Sequence, residues 1–214
     1  MTAPCILVTG FEPFGGGVEN PSAQVALALD GRRIGPAVAV GAVLPCVFGA
    51  ANDAMAALLA AHRPRLVLAL GQAAGRGALS LERVAINVDD ARIPDNAGAQ
   101  PVDLPVVPGA AAARFTTLPV KAMVVALRDA GCPVELSNSA GTFVCNHVFY
   151  GLQHALRRRP SARSGFMHLP LLPSQARRGE PSLPLATMVE GVALALDVAW
   201  NTPVDRAVTE GRLD

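Results

Sequence analysis

The chain has 214 residues, of which 51% are hydrophobic and only 16% are charged, whereas about a quarter of a typical protein is charged. This length suits a single domain, 1–214, with a sizeable core, and the apolar content excludes a disordered chain. The net charge is +1, and the densest basic run is 157–159. Nucleic-acid binding is therefore not expected, because it needs a concentrated basic face.

The chain also lacks the sequence features of a secreted or membrane protein. Its cysteines form no C-x-x-C pair and have no partners at zinc-site spacing; they are Cys5, Cys46, Cys132 and Cys145. The N-terminus has neither the basic flank nor the apolar length of a signal peptide, and no apolar run reaches membrane-spanning length. We therefore expect a cytoplasmic protein with reduced thiols and no membrane partner.

The first half of the chain alternates between predicted strands and predicted helices. Short apolar runs with β-branched residues are typical of buried strands, and alanine-rich runs with apolar residues at helical spacing are typical of helices. Asn20-Pro21 predicts a helix start, because asparagine caps free N–H groups and proline suits the first helical position. The predictions are strands over 6–9, 38–44 and 66–70, a helix that opens at 20–21, and a helix over 50–61.

The second half continues this alternation around one long irregular segment. Strands joined by helices imply crossover connections, and continuous apolar strands are covered on both faces. The pattern therefore predicts an α/β protein with a mainly parallel sheet. The predictions are a strand over 81–88, a loop or short hairpin over 89–113, a helix over 119–130, a strand over 134–137, a helix over 145–158, a strand over 165–169 and a helix over 185–200.

Cys145 is the first candidate for chemistry. It follows a small, turn-forming run, and a helix that begins near Phe143 would place it in the first turn. There the unpaired backbone N–H groups and the positive end of the helix dipole favour a thiolate, the form of cysteine that attacks carbonyl carbon. The alternative is a buried cysteine that acts as a small apolar side chain.

His168 is the second candidate, because it closes a predicted strand. Ligands of open α/β sheets bind at the carboxyl ends of the strands. We expect the segments 10–17, 71–72 and 139–145 to converge with His168 at that edge. The alternative is a histidine that is hydrogen-bonded for structural reasons alone.

A Cys–His pair needs a third group that fixes the tautomer of the imidazole. Glu82 lies on an apolar strand, and a buried carboxylate needs a partner. Its structural alternative is an ion pair with Arg83 or Arg92. The residue pattern does not choose among the acidic side chains expected at this edge, which are Glu12, Glu82, Asp90 and Asp95.

The glycine-rich loop over 10–17 does not resemble a phosphate-binding loop. It lacks both the G-x-x-x-x-G-K-S/T and the G-x-G-x-x-G patterns. It carries Phe11 and Phe14 instead, and exposed aromatic rings on such a loop suit a flat, uncharged ligand. The alternative is that both rings pack the loop onto the core.

Four segments together resemble the signature sequences of the pyroglutamyl peptidase I family. They are Gly-Phe-Glu-Pro-Phe-Gly-Gly-Gly-Val-Glu-Asn-Pro-Ser over 10–22, Glu-Arg-Val-Ala-Ile-Asn-Val-Asp-Asp-Ala-Arg-Ile-Pro-Asp-Asn over 82–96, Ser-Ala-Gly-Thr-Phe-Val-Cys-Asn-His over 139–147 and Gly-Phe-Met-His-Leu-Pro over 165–170. They occur in the family's order and cover most of the chain. The resemblance implies a three-layer α/β/α fold and removal of an N-terminal pyroglutamyl (5-oxoproline) residue from peptides, through a thioester on the nucleophile.

The resemblance also implies roles for single residues. The catalytic triad would be Cys145, His168 and Glu82, and Arg92 would lie near the oxyanion. A buried lactam ring needs polar partners for its N–H and C=O groups, and Asn20 and Gln72 are candidates. The residues implied to line the ring pocket are Phe11, Phe14, Ile93, Phe143 and Val144.

Members of the family use no metal or other cofactor, and bacterial members are usually cytoplasmic homotetramers, so we expect both properties here. The chain departs from the family at Cys46 and over 171–174, which concern the pocket shape and the leaving peptide. Two other functions stay open. One is a cysteine amidase that acts on other lactam or cyclised amides, and the other is a catalytically inactive binding protein on the same fold.

Overall fold

The computed structural model describes residues 3–211, and within that range the chain forms nine strands and five helices. The strands are β1 (Cys5–Phe11), β2 (Arg33–Ile34), β3 (Ala37–Leu44), β4 (Leu66–Gln72), β5 (Leu79–Glu82), β6 (Val84–Ile86), β7 (Ala113–Phe115), β8 (Val134–Ser137) and β9 (Arg163–Leu169). The helices are α1 (Pro21–Ala28), α2 (Ala50–His62), α3 (Val120–Asp129), α4 (Val144–Leu156) and α5 (Leu185–Asn201).

Seven of the strands form one sheet in the order β2-β3-β1-β4-β9-β5-β8. Four neighbouring strands of this sheet run parallel to one another, namely β3, β1, β4 and β9. β2 is antiparallel to β3, and the parallel pair β5 and β8 runs antiparallel to β9. The prediction of a mainly parallel, mixed sheet is therefore confirmed. β6 and β7 form a separate antiparallel pair.

Helices cover both faces of this sheet, which is why its strands are apolar throughout. One core lies under α1, α3 and α5 and includes Ile6 and Leu66. The other lies under α2 and α4 and includes Leu7 and Val67. Neighbouring residues of one strand enter different cores because their side chains point to opposite faces. The predicted three-layer α/β/α arrangement is confirmed.

Helices α1 and α4 begin where the sequence predicts. Asn20 caps α1, because its Oδ1 accepts the backbone N–H of Ser22 at 3.0 Å, and Pro21 is the first helical residue. α4 begins at Val144, so Cys145 lies in its first turn. Within residues 3–211, no helix combines the length and the apolar character needed to cross a bilayer.

The sequence predictions about β5 and β8 are wrong in two respects. The single strand predicted over 81–88 is broken at Arg83, whose backbone bonds to Ser137 and to Thr116 as the chain leaves the main sheet for the β6–β7 pair. β8 ends level with the middle of β9, because Ser137 pairs with Glu82 and Glu82 with Phe166. The turn before Cys145 therefore does not start from the edge at which β1, β4 and β9 end.

Candidate active site

Cys145 is the second residue of α4 and lines a cavity of about 250 Å³. In the described part of the chain no side chain caps this helix, so the N–H groups of its first turn keep no capping partner. Gly71 of β4 lies beneath the thiol. A Cβ atom at Gly71 would stand 2.7 Å from the Sγ of Cys145 and 2.8 Å from the ring of Phe166. The glycine therefore makes room for the thiol above the sheet.

His168 lines the same cavity and is held by a carboxylate. It pairs in register with Gly71 on the neighbouring strand. Its Nδ1 lies 2.7 Å from Oε1 of Glu82. Glu82 pairs in register with Phe166, which lies two residues before His168 on the same strand. The side chains of Glu82 and His168 are therefore diagonal neighbours on one face of the sheet. Because a carboxylate accepts, Nδ1 carries the proton and Nε2 is left for proton exchange.

Arg76 is a site residue that the sequence reasoning did not assign. Its Nη1 lies 2.8 Å from Oε1 of Glu82, and its Nη2 donates to the carbonyl oxygen of Ser139 at 3.1 Å. Glu82 is fully buried, so its charge requires such a partner. The alternative ion pair with Arg83 or Arg92 is not found in the described residues. Arg76 lies in the loop between β4 and β5, and no local pattern marks it as a partner of Glu82.

The thiolate that the helix N-terminus favours at Cys145 meets opposing effects. Burial raises the pKa of the Cys145 thiol above its ordinary value, and the charges of Cys46 and Glu82 raise it further, while Arg76 acts in the opposite direction. Part of the side chain is exposed to the cavity, and the helix N-terminus favours the anion, so these two effects oppose the desolvation. A protonated thiol that acts as a nucleophile needs a base to take its proton.

The cavity has apolar walls and a few polar groups. The rings of Phe14 and Phe143 lie 6.0 Å apart between centroids and are tilted by 43°. Ile93 adds an aliphatic wall, and the polar side chains besides Cys145 and His168 are Gln72, Asp90, Arg92 and Thr142. The predicted site residues that the structure brings together here are Phe14, Gln72, Arg92, Ile93, Phe143, Cys145 and His168, with Glu82 behind the histidine.

Three residues predicted to contact a lactam ring lie outside this cavity lining. Phe11 is buried at the end of β1 and packs against Phe166, with ring centroids 6.5 Å apart. Val144 is fully buried in the core under α4. Asn20 caps α1, and its Nδ2 donates to the backbone of Glu12. Packing and capping account for these three side chains in the described residues, and their contact with the ring stays a prediction.

The remaining acidic candidates for the third group are not bonded to His168 in the described residues. Glu12 and Asp95 both accept backbone N–H groups of the turn after β3. Burial acts to raise the pKa of Asp95, but the backbone N–H groups bonded to it lower that pKa overall. Asp90 lines the cavity, but the carboxylate bonded to His168 belongs to Glu82. Of the four acidic candidates, Glu82 is thus the one whose carboxylate contacts His168 in the described residues.

Comparison with known proteins agrees with this geometry. A family model described as pyroglutamyl peptidase matches residues 5–202. The chain belongs to the pyroglutamyl peptidase family. It is therefore a hydrolase of the cysteine peptidase class. A pyrrolidone-carboxylate peptidase of Cupriavidus taiwanensis is 56% identical over 98% of this chain and 99% of its own length. One of Klebsiella pneumoniae is 53% identical over 96% and 97%.

Solved structures of the pyroglutamyl peptidase family share the fold. Pyroglutamyl peptidase I from Bacillus amyloliquefaciens has a TM-score of 0.94 at 39% identity, covering 97% of this chain and all of its own. A mutant pyrrolidone carboxyl peptidase from Pyrococcus furiosus has a TM-score of 0.89 at 42% identity, covering 92% and 98%. The α/β fold predicted from the resemblance to the pyroglutamyl peptidase I family is therefore confirmed.

Proposed function

We propose that this chain hydrolyses the amide bond that follows an N-terminal pyroglutamyl residue, with Cys145 as nucleophile, His168 as general base and acid, and Glu82 as the group that orients His168. The observation that carries the proposal is the 2.7 Å contact between Nδ1 of His168 and Oε1 of Glu82, in a histidine that lines one cavity with Cys145. Family membership and the printed names of the relatives point to the same substrate.

The cavity suits the pyroglutamyl ring, which is a neutral five-membered lactam without a free α-amine. Phe14, Phe143 and Ile93 offer apolar surface to the faces of the ring. Its N–H and C=O groups each need a partner, because a buried unpaired group costs roughly 1–3 kcal/mol. Gln72 and Asp90 are the polar side chains that can supply one acceptor and one donor at the rim. A small closed slot would admit only a terminal residue.

In the first step the Sγ of Cys145 attacks the carbonyl carbon, and its proton passes to Nε2 of His168. The negative charge then moves to the carbonyl oxygen, where the backbone N–H of Cys145 and the guanidinium of Arg92 are proposed to stabilise it. One such donor is worth about 3–4 kcal/mol in a studied hydrolase. When the carbon–nitrogen bond breaks, His168 donates its proton to the leaving amine, and a thioester remains on Cys145.

In the second step water releases the acyl group. Neutral His168 takes a proton from water, the resulting hydroxide attacks the thioester, and the proton returns to the sulfur as 5-oxoproline leaves. Glu82 keeps Nδ1 protonated throughout, so the same imidazole nitrogen serves both steps. Arg76 bonds to the same Oε1 atom of Glu82 and helps to hold the carboxylate in place.

Hydrolysis of a pyroglutamyl arylamide tests the proposal. The wild-type chain should release the arylamine, and Cys145→Ser should lower kcat by at least about 10³-fold, because the attacking atom is lost. Cys132→Ser, at a half-buried cysteine under α5, is the matched control and should keep the activity. Undiminished activity in Cys145→Ser, or equal turnover of prolyl and glutaminyl arylamides by the wild type, would refute the assignment.

A further inference from the structure

A second cavity adjoins the catalytic one and has no role in the steps above. Its volume is about 600 Å³, more than twice the 250 Å³ of the catalytic cavity. The two cavities share Phe14, Gln72 and Ile93 as wall residues. The other walls of this outer cleft come from the loop over 15–19, from Ala74 and from the segment 171–177. The outer cleft therefore lies beside the place where the proposed chemistry occurs.

The shared wall determines what can reach the outer cleft. With the pyroglutamyl ring in the smaller cavity and its carbonyl carbon at Cys145, the peptide beyond the scissile amide has to leave past the rim. Phe14, Gln72 and Ile93 form part of that rim and also open into the outer cleft. A leaving peptide that passes this rim therefore comes next to the larger space.

The outer cleft is a built site, because hydrogen bonds join its walls. Nε2 of Gln175 donates to Oε1 of Gln72 and to the carbonyl oxygen of Glu19, both at 3.0 Å. The hydroxyl of Ser174 donates to Oε1 of Glu19 at 2.6 Å. The segment 171–177 is therefore bonded both to the loop over 15–19 and to the end of β4.

The two charged side chains of the outer cleft, Glu19 and Arg177, differ in their hydrogen bonding. Both carboxylate oxygens of Glu19 already accept hydrogen bonds, one from Ser174 and one from Gln24. The backbone N–H of Arg177 donates to Glu180, but across residues 3–211 no carboxylate or carbonyl oxygen is bonded to the Arg177 guanidinium. The cleft therefore presents one cation that is free to bind an anionic group of a ligand.

We propose that the outer cleft binds the residues that follow the pyroglutamyl group and that Arg177 pairs with a carboxylate of this leaving peptide. The inference rests on the proposed function, since it places the ring at Cys145. The carboxylate has two possible sources, the free C-terminus of a short peptide and an acidic side chain. Arginine suits either, because its planar guanidinium matches a carboxylate with two parallel hydrogen bonds.

The experiment compares kcat/KM for paired peptides at low ionic strength. The first pair is pyroglutamyl-alanyl-alanine with a free or an amidated C-terminus, and the second is amidated pyroglutamyl-glutamyl-alanine against its glutaminyl counterpart. The wild type should prefer the carboxylate member of at least one pair by about fivefold, the size expected of one partly exposed ion pair. The pair that shows the preference identifies the source of the carboxylate.

Arg177→Gln should remove that preference, and Arg177→Glu should reverse it. Arg178→Gln is the matched control, because it removes the same charge from the adjacent exposed residue, which does not line the cleft. A wild type without any preference, or a preference that survives in Arg177→Gln, overturns the inference. Pyroglutamyl arylamide, measured alongside, separates the two proposals, since its failure to react in the wild type would refute the proposed function itself.

Discussion

Two buried histidine–carboxylate pairs lie near the start of α4, and they are nearly identical in distance and burial. Nδ1 of His168 lies 2.7 Å from Glu82, and Nδ1 of His147 lies 2.8 Å from Asp89. The two imidazoles are 4% and 6% exposed. A buried pair of this kind is therefore no sign of catalysis on its own.

The two pairs differ at the other ring nitrogen. Nε2 of His147 accepts the backbone N–H of Gly49 at 3.0 Å, so both nitrogens join α4 to neighbouring segments. Within the described residues, no protein group is bonded to Nε2 of His168, which lines the cavity with Cys145. The ring nitrogen that stays free beside the Cys145 thiol is the feature that supports the proposed catalytic role of His168.

Replacement of each histidine by glutamine is the variant pair with the largest expected difference, and it tests whether the two histidines have separate roles. His168→Gln should lower kcat for a pyroglutamyl arylamide by about 10³–10⁴-fold, because general acid–base catalysis is lost. His147→Gln should instead lower the free energy of unfolding by about 1–3 kcal/mol, because one buried polar group loses its partner. Urea unfolding and kcat, measured on both variants, give the result. Equal losses of activity in the two folded variants would contradict the assignment of separate roles.

Replacement of the two carboxylates, Glu82 and Asp89, tests the same comparison with a smaller expected effect on kcat. Glu82→Gln should lower kcat by about one to two orders of magnitude less than His168→Gln does, because it removes orientation and leaves the proton-transfer group in place. Asp89→Asn is the matched control, and its kcat should stay within a few-fold of wild type. A greater loss of kcat in Asp89→Asn than in Glu82→Gln would reverse the roles given to the two pairs.

The smallest expected effect concerns the alkylation of two cysteines, Cys145 in the cavity and Cys46 in the core. Burial raises the pKa of Cys46 to about 12, and it is 3% exposed, so it should resist alkylation in the folded protein. Burial also raises the pKa of Cys145, so its thiol holds its proton to higher pH than an ordinary thiol and reacts more slowly below that pH.

The iodoacetamide reaction of the free enzyme measures this prediction. The alkylation rate of Cys145 should rise with pH and still be rising at the ordinary thiol value of 9.0. Mass mapping of the labelled peptides separates Cys145 from Cys46, and Cys145→Ser is the blank. A plateau in the rate below that pH would mean that the cavity stabilises the resting thiolate.

Much of the fold could be predicted because its signals are local. Apolar runs closed by Gly10 or Gly71 indicated the buried strands, and Asn20-Pro21 indicated the cap of α1. The position of Cys145 in a first helical turn followed from the small residues before it. These features depend on neighbours in the sequence, so one chain is enough to find them.

The parts that could not be predicted depend on contacts between distant segments. The direction of β5 and β8 depends on how the chain returns to β9, and the pairing of Arg76 with Glu82 depends on a loop that folds back over β5. Phe11 and Phe14 look alike in the sequence, yet one packs in the core and the other lines the cavity. The raised pKa of Cys145 likewise comes from three-dimensional burial, which opposes the local effect of the helix end.

Trapping of the covalent intermediate tests the central claim most directly. A reaction of the enzyme with a pyroglutamyl arylamide, quenched with acid during turnover and digested, should yield a peptide that carries one pyroglutamyl group on Cys145. The same adduct should accumulate in His168→Gln if its residual attack is faster than hydrolysis of the thioester. Steady turnover by the wild type with the acyl group on a residue other than Cys145 would contradict the account.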